Sequence, residues 1–406
     1  MRDPEILVIG AGIAGTSTAY HLAGLGHRVV VLDRREIAGE ASGVNAGAIE
    51  SMGWGHAPDL QATLTAGSLE IFQSLQLDEG HDIEFRRSGG LQAIHNARQL
   101  EFARGRVADL TRRGFRLELL DTRAARALEP AASELLSGFL HSPERGQADP
   151  RLATRAFAEA ARRRGAEIEE RRAVLRVAQR GDGGWRVETS RGELVAGALV
   201  IAAGAWSRDI GAMLGLDIPV VPVRGQMWAT WPLPPRIFQV ISSVESALHW
   251  SREPGGGGDT PPQLTHRDAR RLTRHLYGRQ TRSGEVIFGG DRQAVGFNAV
   301  PDPAGIEVNR RHAAEVLPFL GSVAVGRTWG GLMPFSLDGR PLIGRLPGSD
   351  SLYMVGGMAS SGFGRGPMAG KLLAEMIHTG RMPAVLAEAD PARCVVPRRA
   401  GAGATT

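Results

Sequence analysis

Gly10-Ala11-Gly12-Ile13-Ala14-Gly15 is the stretch that decides the fold. Before it stands Ile6-Leu7-Val8-Ile9, an apolar run of strand length. After it comes Thr16–Ala23, which reads as a helix ended near Gly24-Leu25-Gly26. Arg28-Val29-Val30-Val31-Leu32 is a second β-branched run, closed by Asp33. The order is strand, glycine loop, helix, strand: a βαβ unit. In the pattern G-x-G-x-x-G the first glycine permits the tight turn. The second lets the backbone approach a pyrophosphate, and the third lets helix pack on strand. The helix N-terminus then offers N–H groups and a favourable dipole to phosphate. Asp33 lies 18 residues past Gly15, at the end of the second strand, where a carboxylate can accept both hydroxyls of a ribose. These neighbours turn a weak motif into a dinucleotide site.

Working outward, residues 59–76 and 98–114 read as amphipathic helices, and Leu152–Arg164 as a helix stopped by Gly165. Strand signals recur at Glu167–Glu170, Val174–Ala178, Trp185–Thr189 and Ala198–Ala202, then through 219–250, His275–Thr281 and Glu285–Gly289. Val308–Leu317 reads as helix. The end returns to strand Leu352–Val355, a glycine-rich turn and a helix Pro367–Ile377. Residues 252–268 hold Gly255–Gly258 and Pro261-Pro262 and predict an irregular excursion, either an active-site lid or a plain loop. The dinucleotide-type segments are thus split. We expect a cofactor domain from 1–55, 145–215 and 320–387, a second domain from 56–144 and 216–319, and a disordered tail over 388–406.

Composition removes several classes. The 406 residues carry a net charge of +5 and hold one Cys, Cys394, one Lys, Lys371, and three Tyr. One Cys forbids an internal disulfide and a Cys-based zinc site, and no metal is expected. One Lys confines amine catalysis to Lys371. The basic residues are otherwise Arg. Their densest cluster, Arg162-Arg163-Arg164 and Arg171-Arg172, is broken by Glu167, Glu169 and Glu170, as on a solvated helix face. No aromatic or groove-reading element accompanies it, so nucleic acid is not an expected partner. No apolar run reaches the ~18–20 residues of a membrane span. The N-terminal run is short and lacks a basic n-region, so the cytoplasm is the expected compartment.

Further segments add to the glycine loop. They are Ala41-Ser42-Gly43-Val44-Asn45-Ala46-Gly47, Ala202-Ala203-Gly204-Ala205-Trp206, Pro222-Val223-Arg224-Gly225-Gln226, Asp338-Gly339-Arg340-Pro341-Leu342-Ile343-Gly344 and the glycine-rich Gly356–Gly366 before the last helix. Together, from about residue 5 to 380, they resemble the D-amino-acid oxidase, glycine oxidase and sarcosine oxidase superfamily of FAD enzymes. The resemblance implies an α/β fold in which a glutathione-reductase-type, Rossmann-like FAD domain is interleaved with an antiparallel-sheet substrate domain. It implies that Gly10, Gly12, Ile13, Ala14 and Gly15 cradle the pyrophosphate, and that Asp33, with Arg34 beside it, holds the adenosine ribose. Val174 is expected at the adenine. Ser42, Asn45, Ala46 and Gly47 are expected past the pyrophosphate and flavin, and Ala203, Gly204 and Trp206 near the ribityl chain. Ser360, Ser361, Gly362, Phe363 and Gly364 are expected at the flavin pyrimidine edge, where a helix dipole stabilises negative charge.

The implied activity is oxidation of an amine or amino-acid C–N bond to an imine, by hydride transfer to flavin N5. The expected partners are a small amine or amino acid and oxygen or another electron acceptor. Two alternatives stay open: oxidation of a hydroxy acid or other alcohol, which needs a base, and service as the flavoprotein subunit of a hetero-oligomeric dehydrogenase. An oligomer is compatible with either.

Departures from the family pattern sharpen the reading. Relatives that tether FAD do so through a Cys ahead of the last segment; Cys394 lies beyond it, so FAD is expected to be non-covalent. Lys371 lies inside the last helix, away from the place where such enzymes activate oxygen. Glycine-oxidase-like enzymes carry an Arg after Gly-Leu in the strand before DG-x-P; here Gly331-Leu332 is followed by Met333. A second expected arginine aligns roughly with Ser360. Either the substrate lacks an α-carboxylate or another arginine binds it, with Arg279, Arg365 and Arg327 as candidates, because a carboxylate left unpaired beside a flavin is costly. Tyr277 is the phenol placed to face a pocket, with ordinary sheet packing as its alternative. Tyr20 and Tyr353 fall on the first helix and a core strand. His56, His249 and His275 are candidate bases or rim residues. Tyr277, Met333, Arg279 and Ser360 form the expected substrate site.

Overall fold

The computed structural model of the chain describes residues 4–49, 58–250, 266, 267, 270, 271 and 274–398. Its first sheet has six strands, in the order Leu342–Arg345, Leu352–Gly356, Ala198–Ile201, Ile6–Ile9, Val29–Leu32, Glu167–Glu169. Neighbours run parallel except at the Leu342–Arg345 edge. Ile6–Ile9 is buried at every position, which is why it reads as an unbroken apolar run. One face of this sheet is covered by the helices Ile13–Gly24, Pro150–Arg163 and Gly362–Thr379, packed through Leu22, Phe157 and Leu373. The other carries a three-stranded antiparallel sheet, Val174–Gln179, Trp185–Thr189, Gly192–Ala196, whose Trp185 and Val187 alternate inward.

The second sheet has eight strands: Val325–Ser336, Val220–Thr230, Val286–Gly289, Tyr277–Gln280, Val240–Ser243, Gly90–Ile94, Gly138–Ser142, Glu118–Leu120. It is antiparallel except where Val240–Ser243 meets Gly90–Ile94. Its core holds Trp228 and Phe288, stacked with centroids 5.8 Å apart, under the helix Pro303–Val316. The Trp228 indole N–H donates to Asn309 Oδ1 of that helix at 2.8 Å, so its one polar atom is satisfied.

Three sequence expectations change. Val325–Ser336 pairs along its length with Val220–Thr230, so residues 325–336 belong to the second sheet and the chain re-enters the first sheet only after Ser336. Strand partnership is a long-range contact that local pattern does not reveal. The last helix starts at Gly362, not Pro367; Pro367 sits inside it, and Gly380, at φ +70°, ends it. Residues 388–398 are not a disordered tail. Pro391–Arg393 forms a 3₁₀ turn, Val396–Pro397 pairs with Leu216–Asp217, and Arg393 ion-pairs Asp338 at 2.6 Å. Buried Val395 anchors the segment. Residues 399–406, His56, the His249 side chain and nearly all of 252–268 lie outside the described residues.

Candidate active site

A single elongated cavity of about 460 Å³ links the two sheets. At one end stand Asp33, Arg34 and Val174; at the other, Tyr277, Arg292 and Met333. The glycine loop forms its floor. Gly10 adopts φ +116°, and a Cβ there would collide with the Ala202 carbonyl, so only glycine brings the ends of Ile6–Ile9 and Ala198–Ile201 this close. Gly12 caps the first helix without a side chain of its own. Ser42 reaches over from the next loop and accepts from Ile13 N at 2.9 Å. Asp33 accepts from Ala11 N and Arg35 N, one per carboxylate oxygen, both at 2.7 Å. Each oxygen keeps a further lone pair for a ribose hydroxyl. Burial raises the Asp33 carboxyl above its ordinary range, against the pull of those two amides.

Arg34 lies over the Trp206 ring at 3.8 Å, and Trp206 stacks on Phe297 with centroids 5.3 Å apart. Ala203, Gly204 and Trp206 line the middle of the cavity, and Ser42 and Asn45 line it from the opposite loop. Asn45 ties that loop to itself, donating to Ala41 O at 3.0 Å and accepting from Gly47 N at 2.8 Å. Ser360, Ser361, Gly362, Phe363 and Gly364 close the far end, where the last helix begins without a side-chain cap among the described residues. Two helix N-termini on one long cavity, with an acidic acceptor at its end, fit an FAD: amides for the pyrophosphate, Asp33 for the ribose, a dipole at the flavin edge. Gly15, Ala46 and Gly47 stand behind this wall rather than in it. Gly15 packs against the Gly10 carbonyl, as the third glycine of the motif should.

The substrate end differs from expectation. Arg279 does not line the cavity. It is buried, donates to the Ala46 carbonyl and to Ala148 O at 3.1 Å, and so bolts the second sheet to the Ala46–Gly47 turn. Arg327 is exposed and pairs with Glu285 at 2.9 Å, and Arg365 is buried within the last helix. The arginine that enters the cavity beside Met333 and Ser360 is Arg292, just after the strand Val286–Gly289. It is 5% exposed, donates to Ser360 Oγ at 2.8 Å, and lies 5.6 Å from the Phe335 ring centre. Burial pulls its guanidinium down to about 9, so it is still a cation at neutral pH. Sequence reasoning missed it. The available signal was Asp291-Arg292 directly after Gly289-Gly290, a charged pair closing an apolar strand.

Tyr277 faces the same space, its hydroxyl 3.4 Å from Met227 Sδ. Burial pushes its phenol up to about 12, so it stays neutral and does not act as a base near neutral pH. His275 lines the cavity with Nδ1 2.8 Å from Ser246 Oγ. Ser246 gives its own proton to the Arg274 carbonyl at 3.1 Å, so His275 Nδ1 is the donor toward Ser246. Arg145, held by Ser242 Oγ at 2.8 Å, forms the remaining basic wall. Lys371 is on the last helix near His21, whose basicity is depressed first by burial and then by the Lys371 charge, and neither Lys371 nor Cys394 lines the cavity. Among the described residues no His, Cys, Asp and Glu group could hold a metal ion, and no helix is long and apolar enough to cross a membrane.

Comparison with known proteins agrees with this geometry. Residues 5–376 match the DAO family, described as FAD dependent oxidoreductase. Glycine oxidase of Bacillus licheniformis is 28% identical over 377 residues, covering 92% of each chain. Glycine oxidase of Pseudomonas aeruginosa is 29% identical over 395 residues, covering 96% of this chain and 97% of that one. The solved structure of a glycine oxidase from Geobacillus kaustophilus superposes with a TM-score of 0.82 at 21% identity, covering 96% of this chain and 98% of that one. The glycine loop, the acid at Asp33, the paired helix N-termini and the interleaved sheets together with this match place the chain in the DAO family of FAD-dependent oxidoreductases.

Proposed function

We propose that the protein oxidises the C–N bond of an amino acid whose carboxylate is received by Arg292. The observation that carries this reading is the buried Arg292 cation, held by Ser360 at the mouth of the last helix. The glycine oxidases to which the chain is similar support the bond type. FAD, bound along the cavity, supplies the two-electron acceptor. The chain's own residues do the rest. Arg292 fixes the carboxylate and thereby the α-carbon. Leu332, Met333 and Pro334 form an apolar wall that favours the uncharged amine over its ammonium form. Tyr277 stays neutral and fills the space beside Met227. No acid–base pair is needed, because positioning and desolvation carry such a reaction.

FAD is held without a covalent bond, a reading supported by Cys394 lying away from the cavity. The placement of Lys371 supports an electron acceptor other than oxygen. His275, an imidazole on the cavity wall, is the observation favouring the second reading, oxidation of an alcohol. Anaerobic mixing of the yellow protein with amines, amino acids and hydroxy acids decides between them. Bleaching by amino acids is expected. Bleaching by a hydroxy acid alone would overturn the proposal. Re-aeration then tells oxidase from dehydrogenase by the speed at which colour returns.

A further inference from the structure

The segment Pro222-Val223-Arg224-Gly225-Gln226 does not line the cavity, yet its two polar side chains are among the most buried in the protein: Arg224 is 5% and Gln226 1% exposed. They occupy alternate positions of the strand Val220–Thr230 and so share a face. Gln226 donates through Nε2 to Asp291 Oδ2 at 2.5 Å and accepts through Oε1 from Asp302 N at 2.5 Å. Arg224 donates through Nε to Gln293 Oε1 at 2.9 Å and through Nη1 to the Val300 carbonyl. The pattern is nested. Gln226 joins residues 291 and 302; Arg224 joins 293 and 300. Backbone bonds reinforce the inner rung, Arg224 N to Gln293 O at 2.9 Å and Gln293 N to Arg224 O at 3.0 Å. Gln293 Nε2 also reaches Asp302 Oδ2 at 3.0 Å.

Arg292 sits between the two pinned residues. Since Asp291 and Gln293 turn their side chains toward the Arg224 and Gln226 face, alternation sends Arg292 the other way, into the cavity. Gly225 has no side chain on that side. A Cβ there would stand 3.1 Å from the Met333 methyl, so the absent side chain leaves Met333 its place. The tip of the same 291–302 segment carries Phe297, stacked on Trp206 of the cavity wall.

We infer that Gln226 and Arg224 are positioning residues for substrate recognition: as a two-rung brace across the ends of 291–302 they hold Arg292 in the orientation that receives a substrate carboxylate. The inference rests on the carboxylate role of Arg292 proposed above. It assigns the polar residues of this motif to specificity, not to cofactor binding.

The test uses FAD-loaded protein, acetate as the anionic probe and acetamide as its neutral isostere, with binding read from the flavin absorbance change. Arg292→Met is expected to weaken acetate strongly. Gln226→Leu is expected to weaken acetate about tenfold, with acetamide unchanged within about twofold. In the Arg292→Met background, Gln226→Leu is expected to do nothing further to acetate. Equal losses in both backgrounds, or parallel losses of acetate and acetamide, would show a merely structural role and overturn the inference. So would unchanged acetate binding by Gln226→Leu where Arg292→Met weakens it. If Arg292→Met leaves acetate binding intact, or the parent protein ignores acetate, the carboxylate reading itself is wrong and the inference falls with it. Should Gln226→Leu fail to fold, Gln226→Asn, one methylene too short to span both partners, and Arg224→Lys enter the same cycle with the same expected signs.

Discussion

Replacing Arg292 by Met is the sharpest test of the substrate site. Met has similar length, is apolar, and can rest on Phe335 as the guanidinium does. What is lost is one buried cation and its charge-assisted hydrogen bonds to a carboxylate. Ser360 Oγ, the hydrogen-bond partner of Arg292, remains at that spot. Truncating one partner of a buried, hydrogen-bonded charge pair costs about 2–5 kcal/mol, much of it the penalty of a charge left in low dielectric. Arg292 is 5% exposed, so little water screens the loss, but Ser360 retains one donor. We therefore expect about 2–4 kcal/mol, roughly a 30- to 700-fold fall in kcat/KM at 1.4 kcal/mol per tenfold. The assay is the rate of anaerobic flavin bleaching over a range of concentrations, for an amino acid and for the amine that lacks its carboxylate. The amino acid should lose the full factor and the amine less than about threefold. Equal losses for both would mean that Arg292 supports the fold or the cofactor. No loss for the amino acid would refute the reasoning outright.

Four further outcomes follow from the same geometry. Burial pulls the Arg292 guanidinium down to about 9, so the ratio of kcat/KM for a carboxylate substrate to that for its decarboxylated amine should fall as pH rises through that value; Tyr277, pushed up to about 12, adds no limb. Adding Met333→Arg to Arg292→Met should restore about tenfold or more of the lost kcat/KM if both positions serve one subsite, and an unrescued double variant would separate them. Arg279→Leu should lose about 2–4 kcal/mol in urea unfolding, because the carbonyls of Ala46 and Ala148 lose their donor, with an unchanged preference between amino acid and amine. Acid or heat denaturation should release all flavin to the supernatant, and flavin that precipitates with the chain would contradict non-covalent binding.

The cofactor end of the site was legible because its determinants are local. Gly10 to Gly15 do their work through backbone geometry set within a few residues, and Asp33 and Ser42 follow at fixed places in the same βαβ unit and the loop after it, so spacing along the chain reports them. Ser42 to Ile13 and Asp33 to Ala11 close within the first βαβ unit and the loop after it, over 29 and 22 residues. The substrate end was not. Arg279 and Arg292 are 13 residues apart in one hairpin. Both follow or lie on strands of the second sheet, and both are arginines of nearly identical burial. Only the direction of each side chain distinguishes a structural bolt from a cavity residue. That direction depends on the pairing of strands from 220–230, 277–280 and 286–289 and on the bridge from Arg224 to Gln293. The domain edge near 320 failed for the same reason, since Val325–Ser336 is defined by its partner strand.

The sequence by itself determined the family, the interleaved architecture, the FAD cradle and the scarcity of Cys and Lys that limits the chemistry. It also showed that an arginine is missing at Met333. Only the tertiary structure showed which arginine enters the cavity beside it. Arg292 reaches the cavity because two rungs from Arg224 and Gln226 pin its neighbours and turn it inward, whereas Arg279 is consumed by the carbonyls of Ala46 and Ala148. A glycine loop carries its meaning in its own backbone. A buried charge takes its role from the groups folded around it, and those come from distant parts of the chain.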